Sequence, residues 1–176
     1  NPAHTGYVPG TLNTNFFALR WQILAANGLA LNPVAVGDGK VFVSAPSYFG
    51  NTGLYAYDAQ SGTLLWNVPY SDFYSVNPPA YGDGRVYIQT GNSGADTWLR
   101  AYDATTGSVV FKSRHDAQWE NYLAPTILDD TVYINGGGYG GMYAFDAISG
   151  ARRWFKPLAQ VDRWTPAVDA DNAYAY

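Results

Sequence analysis

The densest group of polar side chains in the sequence lies in one short segment, at His115, Asp116 and Glu120. An imidazole beside carboxylates suits proton transfer or metal binding, because both require a lone pair or a proton held in place. A metal site built on histidine would use a second imidazole, but the other histidine, His4, lies far away near the start of the chain. We therefore expect a solvated loop in which His115 makes structural hydrogen bonds, with acid–base chemistry as the alternative.

Two further segments suggest chemistry less strongly. The run GGGYGG at 136–141 is glycine-rich like a phosphate-binding loop, but it lacks the following Lys-Ser/Thr and the strand-then-helix context of such loops. A tight turn is the better interpretation. Asp162 and Arg163 are adjacent and are expected to form a local ion pair or to bind backbone groups.

The bulk composition excludes several functional classes. Of the 176 residues, 47% are apolar and 14% are charged, which is typical of a folded globular chain. The ten Lys and Arg residues are scattered and the formal net charge is −4, so no nucleic-acid partner is expected. No apolar run is long enough to span a bilayer. The absence of cysteine excludes disulfides and thiolate chemistry, and the first ten residues do not resemble a signal peptide.

One phrase occurs three times in register along the chain. It reads GLYAYDAQSGTLLW at 53–66, WLRAYDATTGSVVF at 98–111 and GMYAFDAISGARRW at 141–154. A second marker, NPVAVGDGKVFV at 32–43, recurs in similar form at 77–88, 124–134 and 165–176. Trp21 lies 45 residues before Trp66 and is expected to end a preceding unit. Repetition at this spacing predicts an array of similar structural units.

Each unit is predicted to form four short antiparallel strands. The Asp-Gly pairs at 38–39 and 83–84 are typical of two-residue hairpin turns. In the DAxSG segment we expect the aspartate to accept backbone N–H bonds and the glycine to adopt a left-handed conformation. The repeated aspartates thus serve turns in different units and do not form a carboxylate triad. Four strands in 41–47 residues is the size of one β-propeller blade, and no window has helical periodicity.

The repeated phrase resembles the tryptophan-docking motif of the PQQ-like (quinoprotein-type) β-propeller repeats, A-x-D-x-x-[ST]-G-x-x-x-W. The resemblance covers the chain from about residue 16 onward. It implies that a small alanine makes room for the indole of a neighbouring blade, which fastens blade to blade. Phe111 departs from the motif and predicts a reshaped contact in the middle unit. The implied docking residues are Ala56, Asp58, Gly62, Trp66, Ala101, Asp103, Gly107, Phe111, Ala144, Asp146, Gly150 and Trp154.

The resemblance predicts an all-β chain, a β-propeller of four-stranded antiparallel blades. We expect an incomplete segment, about three full blades plus flanking strands of a seven- or eight-bladed ring. The blades are expected at about 32–70, 77–115 and 124–158, with a partial blade from 165 and an extended segment over 1–15. The alternative is a closed four-bladed ring in which 165–176 pairs with 16–21. An open arc exposes apolar blade edges, which predicts self-association.

Function is expected on the face where the connections vary. If strands A to D run outward from the axis, the D–A and B–C loops share one face, and these loops are rich in aromatic residues such as Tyr48, Phe49 and Phe73. Such rings could bind a sugar or a protein, or could simply fill gaps between blades. The candidate ligand-binding residues are Tyr74, His115, Trp119, Tyr122, Tyr139 and Trp164.

The resemblance also raises the question of a cofactor. Quinoprotein dehydrogenases of this kind hold PQQ and Ca²⁺ on the propeller axis. A disulfide ring formed by two adjacent cysteines lies over the cofactor, and Glu, Asn and Asp serve as ligands. The cysteine pair is excluded here, and no segment matches the ligand pattern. We therefore expect neither PQQ nor Ca²⁺ and assign no catalytic residue.

Together these features predict a non-catalytic scaffold that binds a protein or another macromolecule through its D–A and B–C loops. The resemblance implies a bacterial protein in the periplasm, on the cell surface or secreted. The alternatives are a fragment of a PQQ-dependent dehydrogenase or of a polysaccharide-active propeller enzyme, and a carbohydrate-binding module.

Overall fold

A computed structural model describes residues 13, 15, 17–24, 30–92, 96–117, 121–137, 140–158 and 164–175. Within these ranges the chain is built of short β-strands and contains no long helix. The strands are β1 (Ala35–Gly37), β2 (Lys40–Ser44), β3 (Gly50–Asp58), β4 (Leu64–Phe73), β5 (Ser75–Val76), β6 (Ala80–Gly82), β7 (Arg85–Gly91), β8 (Trp98–Asp103), β9 (Val109–Arg114), β10 (Thr126–Leu128), β11 (Thr131–Asn135), β12 (Gly141–Asp146), β13 (Arg152–Pro157), β14 (Ala167–Val168) and β15 (Ala173–Tyr174).

The strands form successive antiparallel sheets in chain order. Blade 1 has the order β1-β2-β3-β4, and blade 3 has the order β10-β11-β12-β13. In blade 2, β6 and the short β5 both pair with β7, which is followed by β8 and β9. A two-stranded half-blade, β14-β15, ends the described part of the chain. The fold is thus an all-β arrangement of propeller-like blades, as the repeat predicted.

The inner hairpin of each blade turns through an aspartate with positive φ. Asp38 and Gly39 have φ values of 46° and 68°, and the corresponding pair in blade 2 is alike. Positive φ at both central residues defines the type I′ turn, whose twist matches that of the flanking strands. Blade 3 makes the same turn with Asp129 and Asp130, at φ values of 45° and 56°. Aspartate tolerates this region better than most residues, which explains why glycine is dispensable there.

The turn between the third and fourth strands has the same construction in all three blades. In blade 1, Asp58 Oδ1 accepts hydrogen bonds from the backbone N–H of Gln60 and of Ser61, at 3.0 and 2.7 Å. Gly62 closes the turn at a φ of 74°. These bonds lower the pKa of Asp58 below its usual range, the backbone bond from Ser61 being the largest cause. The repeated Asp and Gly therefore encode a turn.

The hydrophobic core lies between neighbouring blades. Tyr81 of blade 2 stacks on Phe42 of blade 1, with ring centroids 5.6 Å apart, and its ring lies over Gly37. One step further on, Ile127 of blade 3 lies over Gly82 of blade 2. Glycine at the end of the inner strands of blades 1 and 2 leaves room for the large side chain of the next blade. The blades are therefore bound to one another by side-chain packing and not by shared strands.

Two observations bear on ring closure and the membrane. Within the described ranges, no strand pairing joins the half-blade to residues 17–24, which a closed four-bladed ring would require. In the same ranges, no helix has the length and apolar character needed to cross a membrane.

Candidate functional site

Aromatic residues of one blade bind the outer turn of the next. The indole Nε1 of Trp66 donates to the carbonyl oxygen of Ala104 at 3.1 Å, and its ring covers Gly107. Trp21 makes the same pair of contacts with blade 1, at 3.0 Å from the carbonyl of Ala59. A Cβ at Gly107 would lie 2.8 Å from the Trp66 ring, so only glycine admits the indole. Each of these two junctions thus combines a half-buried ring with one directed hydrogen bond.

The third junction makes these contacts with two residues. Phe111 covers Gly150 but has no N–H to donate. The hydroxyl of Tyr87 instead donates to the carbonyl of Ala147 at 2.9 Å. Ala147 is the counterpart of Ala104, since each follows the turn aspartate. The reshaped contact expected at Phe111 is therefore made by two side chains. The phenyl ring of Phe111 covers the glycine, and the phenol of Tyr87 donates the hydrogen bond.

The exchange follows one row of residues across the blade. In blade 2, Tyr87, Ala101 and Phe111 are paired side by side on adjacent strands. In blade 1 the same row holds Phe42 and Trp66. The polar group thus belongs to the fourth strand in blade 1 and to the second strand in blade 2. Burial raises the pKa of Tyr87 to about 12, so its hydroxyl stays protonated and can donate.

The glycine of the repeated motif contacts the neighbouring indole, while the role expected for the alanine stays a prediction. The resemblance implied that Ala56 makes room for the indole of a neighbouring blade. In the structure Ala56 pairs with Trp66 of its own blade, whereas the neighbouring indole, that of Trp21, lies on Gly62. Glycine offers the smaller surface, and it is already required there by the positive φ of the turn.

The last fourth strand carries an aromatic residue that remains accessible. Trp154 is 39% exposed, and no third-to-fourth-strand turn of a following blade covers it within the described ranges. Phe155 beside it is exposed to the same degree. Self-association through this blade surface stays a prediction.

Three of the candidate ligand-binding residues are buried. His115, Tyr122 and Trp164 are 3%, 3% and 1% exposed, so His115 does not lie in a solvated loop as expected. Its ring packs between Tyr122 and Tyr143, with centroid distances of 5.6 and 5.7 Å. The contacts with these two rings help to remove the imidazole from water. Trp119 and Tyr139 lie outside the described residues.

His115 is held in its neutral form by this environment. Burial lowers its pKa to about 3, so the ring carries no charge at physiological pH. The amide nitrogen of Gln89 lies 3.4 Å from Nε2 of the imidazole. Because an amide nitrogen only donates, Nε2 accepts and the ring proton lies on Nδ1. A neutral, enclosed imidazole of this kind serves packing better than proton exchange with a substrate.

The same interior contains a chain of side-chain amides that links the blades. Asn77 Nδ2 donates to the carbonyl of Gln89 at 2.8 Å, and Gln89 Nε2 donates to the carbonyl of Asn135 at 2.9 Å. Asn135 Nδ2 reaches the carbonyl of Trp164 at 3.4 Å. Buried amides satisfied in this way orient neighbouring elements. These polar residues therefore hold adjacent blades in register.

A cavity of about 510 Å³ lies where the innermost strands converge. Its lining includes Val34, Val36, Ala80, Tyr81, Ile127 and Thr165. Ca²⁺ requires several oxygen ligands, which are usually carboxylates. PQQ is an anion, so its site requires cationic side chains. The lining holds neither carboxylates nor cationic groups, and the described residues contain no cluster of three or more His, Cys, Asp or Glu. The described residues at this site therefore do not fit PQQ or Ca²⁺.

Blade 1 differs from the other blades in the length of its outer strands. β3 has 9 residues and β4 has 10, whereas the matching strands of blades 2 and 3 have 6 each. The extra residues form a two-stranded ribbon in which Gly50 pairs with Phe73. At its end three rings, Tyr48, Phe49 and Tyr74, meet edge to face with centroids 5.4–5.8 Å apart. We call these three residues the ribbon tip.

The backbone of the ribbon tip is fixed although its rings face solvent. Tyr48 is 76% exposed and Phe49 is 46% exposed. The N–H of Phe49 donates to the carbonyl of Phe73 at 2.8 Å, and the N–H of Gly50 donates to the Ser47 hydroxyl at 3.2 Å. Phe49 has a φ of 54°, which a bulky side chain adopts at a cost of about 1–3 kcal/mol. Such strain next to exposed apolar rings is characteristic of a binding element.

Cations stack on aromatic rings beside the ribbon tip. The guanidinium of Arg100 lies 5.2 Å from the ring centre of Phe73, and its Nε donates to Thr90 at 2.8 Å. Lys112 Nζ lies 5.1 Å from the ring centre of Trp98. Both distances fall within the range of cation–π attraction. The contact of Arg100 with Phe73 joins blade 2 to blade 1, whereas the contact of Lys112 with Trp98 lies within blade 2.

Comparison with known proteins assigns the fold to a family. Residues 18–174 match the family model described as outer membrane protein assembly factor BamB, a PQQ-like repeat model. The chain belongs to this family of PQQ-like repeat propellers. A search of curated protein sequences gives no match.

Solved structures agree with this assignment. The crystal structure of BamB from Moraxella catarrhalis is 25% identical with a TM-score of 0.65, and the match covers 84% of this chain and 44% of that one. The chain therefore spans less than half the length of that BamB. The computationally designed Ika4 protein is 13% identical with a TM-score of 0.66, covering 86% of this chain and 87% of that one, and shows the fold alone.

A quinohemoprotein dehydrogenase is also similar over part of its length. ADHIIG, the quinohemoprotein alcohol dehydrogenase from Pseudomonas putida HK5, is 27% identical with a TM-score of 0.50. The match covers 72% of this chain but only 20% of that one. The similarity lies in the repeat itself, since blades of this kind occur both in an assembly factor and in an alcohol dehydrogenase.

Proposed function

We propose that this chain is part of a non-catalytic propeller scaffold of the bacterial cell envelope, which binds a protein partner through the ribbon tip. The observation that carries the proposal is the combination of exposed rings with a fixed backbone at Tyr48 and Phe49. Rigid aromatic side chains contribute large contact areas and lose little conformational entropy on binding. The family model carries the description of an outer membrane protein assembly factor. That description supports a protein as the partner and the cell envelope as the location.

Enzymatic alternatives have less support from the described residues. The axial cavity offers no donor set for a quinone or a cation, and the candidate proton-transfer residue His115 is buried and neutral. A carbohydrate ligand would also use exposed rings, so it remains as an outcome of the experiment below.

The experiment places a benzophenone amino acid at Tyr48 of the protein expressed in its host's envelope. We expect irradiation to yield one discrete protein adduct. The same amino acid at Val109, which is exposed on the outer strand of blade 2, is the matched control and should yield none. The additional substitution Phe49→Asn should abolish the adduct while leaving the fold intact, because Asn tolerates the positive φ. Adducts removed by glycosidases, or equal labelling at Tyr48 and Val109, would refute a protein-binding role for the ribbon tip.

A further inference from the structure

Two exposed carboxylates lie near the ribbon tip, and this bears on its partner. Asp72, the second residue before Tyr74, is exposed. Asp96, also exposed, accepts from Asn92, whose Oδ1 in turn accepts the N–H of Tyr74 at 2.7 Å. The chain or a hydrogen bond thus connects each of these exposed carboxylates to Tyr74 of the ribbon tip. The nearby cation Arg100 lies over the rings of Tyr70 and Phe73.

The rings themselves add to this preference. The face of an aromatic ring carries partial negative charge and attracts Lys and Arg side chains. Phe73, at the end of the ribbon, already makes such a contact with Arg100 of blade 2. A basic side chain from outside would gain both the ring face and a carboxylate. An acidic side chain would be repelled by both.

The edge of the ribbon argues against partner binding by strand addition. Pro69 lies in the outer strand β4 and has no N–H to offer a further strand. Asp72 follows with a φ of 60°, which interrupts the regular strand geometry. Proline, charge and irregular backbone are the features by which exposed edges avoid pairing. Contact by the side chains at the end of the ribbon is therefore favoured over a backbone ladder along it.

We infer that the ribbon tip binds a peptide segment of its partner that contains both basic and aliphatic residues. The Lys or Arg side chains of that segment contact the rings and carboxylates of this chain, and its aliphatic side chains lie between the rings. The inference rests on the proposed function and specifies the chemistry of the partner. Because Tyr48, Phe49 and Tyr74 meet edge to face, the gaps around them suit aliphatic side chains. The partner segment should therefore alternate basic and aliphatic residues.

The test uses three synthetic peptides of equal length, in which leucine alternates with lysine, with glutamate or with serine. Binding to the purified chain is measured by fluorescence anisotropy at low and high salt. We expect the lysine peptide to bind at least about ten-fold more tightly than the glutamate peptide, with the difference shrinking at high salt. Asp72→Asn should weaken lysine-peptide binding about three-fold. Asp83→Asn, the same change at a positive-φ aspartate in the inner turn of blade 2, is the matched control and should leave binding unchanged.

Tyr48→Ala separates the tip from general attraction by a chain of net charge −4, because it alters no charge. Loss of lysine-peptide binding in this variant supports the inference. Equal binding of lysine and glutamate peptides, unchanged binding by Tyr48→Ala, or equal effects of Asp72→Asn and Asp83→Asn would overturn it. The photo-crosslinked partner distinguishes the two proposals: an acidic or neutral crosslinked segment overturns this inference alone, whereas the absence of any protein adduct overturns the proposed function.

Discussion

The exchange between Tyr87 and Phe111 permits a quantitative test of how the blades are joined. Tyr87→Phe removes the hydroxyl that donates to the carbonyl of Ala147 at 2.9 Å. Tyr87 is fully buried, so the carbonyl would lose its partner without gaining water. A buried acceptor left unsatisfied costs about 1–3 kcal/mol. We expect Tyr87→Phe to lower the free energy of unfolding by that amount.

The second step restores the donor from the other strand. In Phe111→Trp the indole should reach the Ala147 carbonyl as Trp66 reaches that of Ala104, at 3.1 Å. Tyr87→Phe should then cost less than about 0.5 kcal/mol in the Phe111→Trp background. The two effects would be coupled by about 1–2 kcal/mol in a double-mutant cycle. The cycle subtracts any cost of fitting the larger ring, so that cost does not affect the conclusion.

Urea unfolding of the four proteins, followed by tryptophan fluorescence and circular dichroism, provides the free energies. Tyr133→Phe is the matched control, because Tyr133 occupies the same row in blade 3 and its hydroxyl bonds to none of the described residues. It should change the stability by less than about 0.5 kcal/mol. A coupling energy below about 0.3 kcal/mol would show that indole and phenol are not interchangeable donors, and the model of the junction would be wrong.

Three further variants test the turn, the imidazole and the ion pair. Gly107→Ala should cost about 1–3 kcal/mol more than Gly39→Ala in urea unfolding, since both have positive φ but only the first meets an indole, and equal costs would exclude the docking contact. Burial lowers the pKa of His115 from 6.5 to about 3. Between these two pH values the unfolded chain binds a proton on the imidazole that the native chain does not bind. The free energy of unfolding should therefore fall as the pH decreases, by up to about 1.4 kcal/mol per pH unit. His115→Gln should remove the part of that slope above about pH 5, where the unfolded-state carboxyls are mostly ionised, and an unchanged slope there would refute the assignment. Arg153 donates to Asp146 at 2.8 Å and lowers the pKa of that carboxyl below its usual range, so the stability from this ion pair is lost as pH falls through the folded pKa. Carboxyl NMR should find the pKa of Asp146 raised in Arg153→Gln, and an unchanged pKa would contradict the role of the ion pair.

The turns could be predicted from the sequence because their chemistry is local. Asp58 and Gly62 lie four positions apart, and the bonds that form the turn stay within those residues. The blade-to-blade bond from Tyr87 to Ala147 spans 60 positions and could not be predicted. Its only signal was the replacement of tryptophan by Phe111, which indicated a difference without indicating the compensating donor. Long-range partners of this kind depend on how blades pack, which a motif does not encode.

The loop residues show the same limit from the other side. His115 carried the strongest sequence signal for chemistry, but it is buried between the rings of Tyr122 and Tyr143. Tyr48 and Phe49 carried a weak signal, being two aromatic residues among many. Their place beside Tyr74 depends on the pairing of Gly50 with Phe73, which the longer strands of blade 1 create. Exposure and mutual contact are tertiary properties, so residue type alone could not show which of these aromatic and polar residues are exposed.

The length of blade 1 connects these findings to function. The three blades share the same turns and the same row of paired residues, and those features account for the packing of the array. The extra residues of β3 and β4 add no contact of this repeated kind and end in strained, solvent-facing rings. A strained backbone persists only where the surrounding structure holds it, and here Ser47 and Phe73 do so. Because this structure is costly and unnecessary for the repeat, its rigidity together with its exposure supports the proposal that the ribbon tip binds a partner.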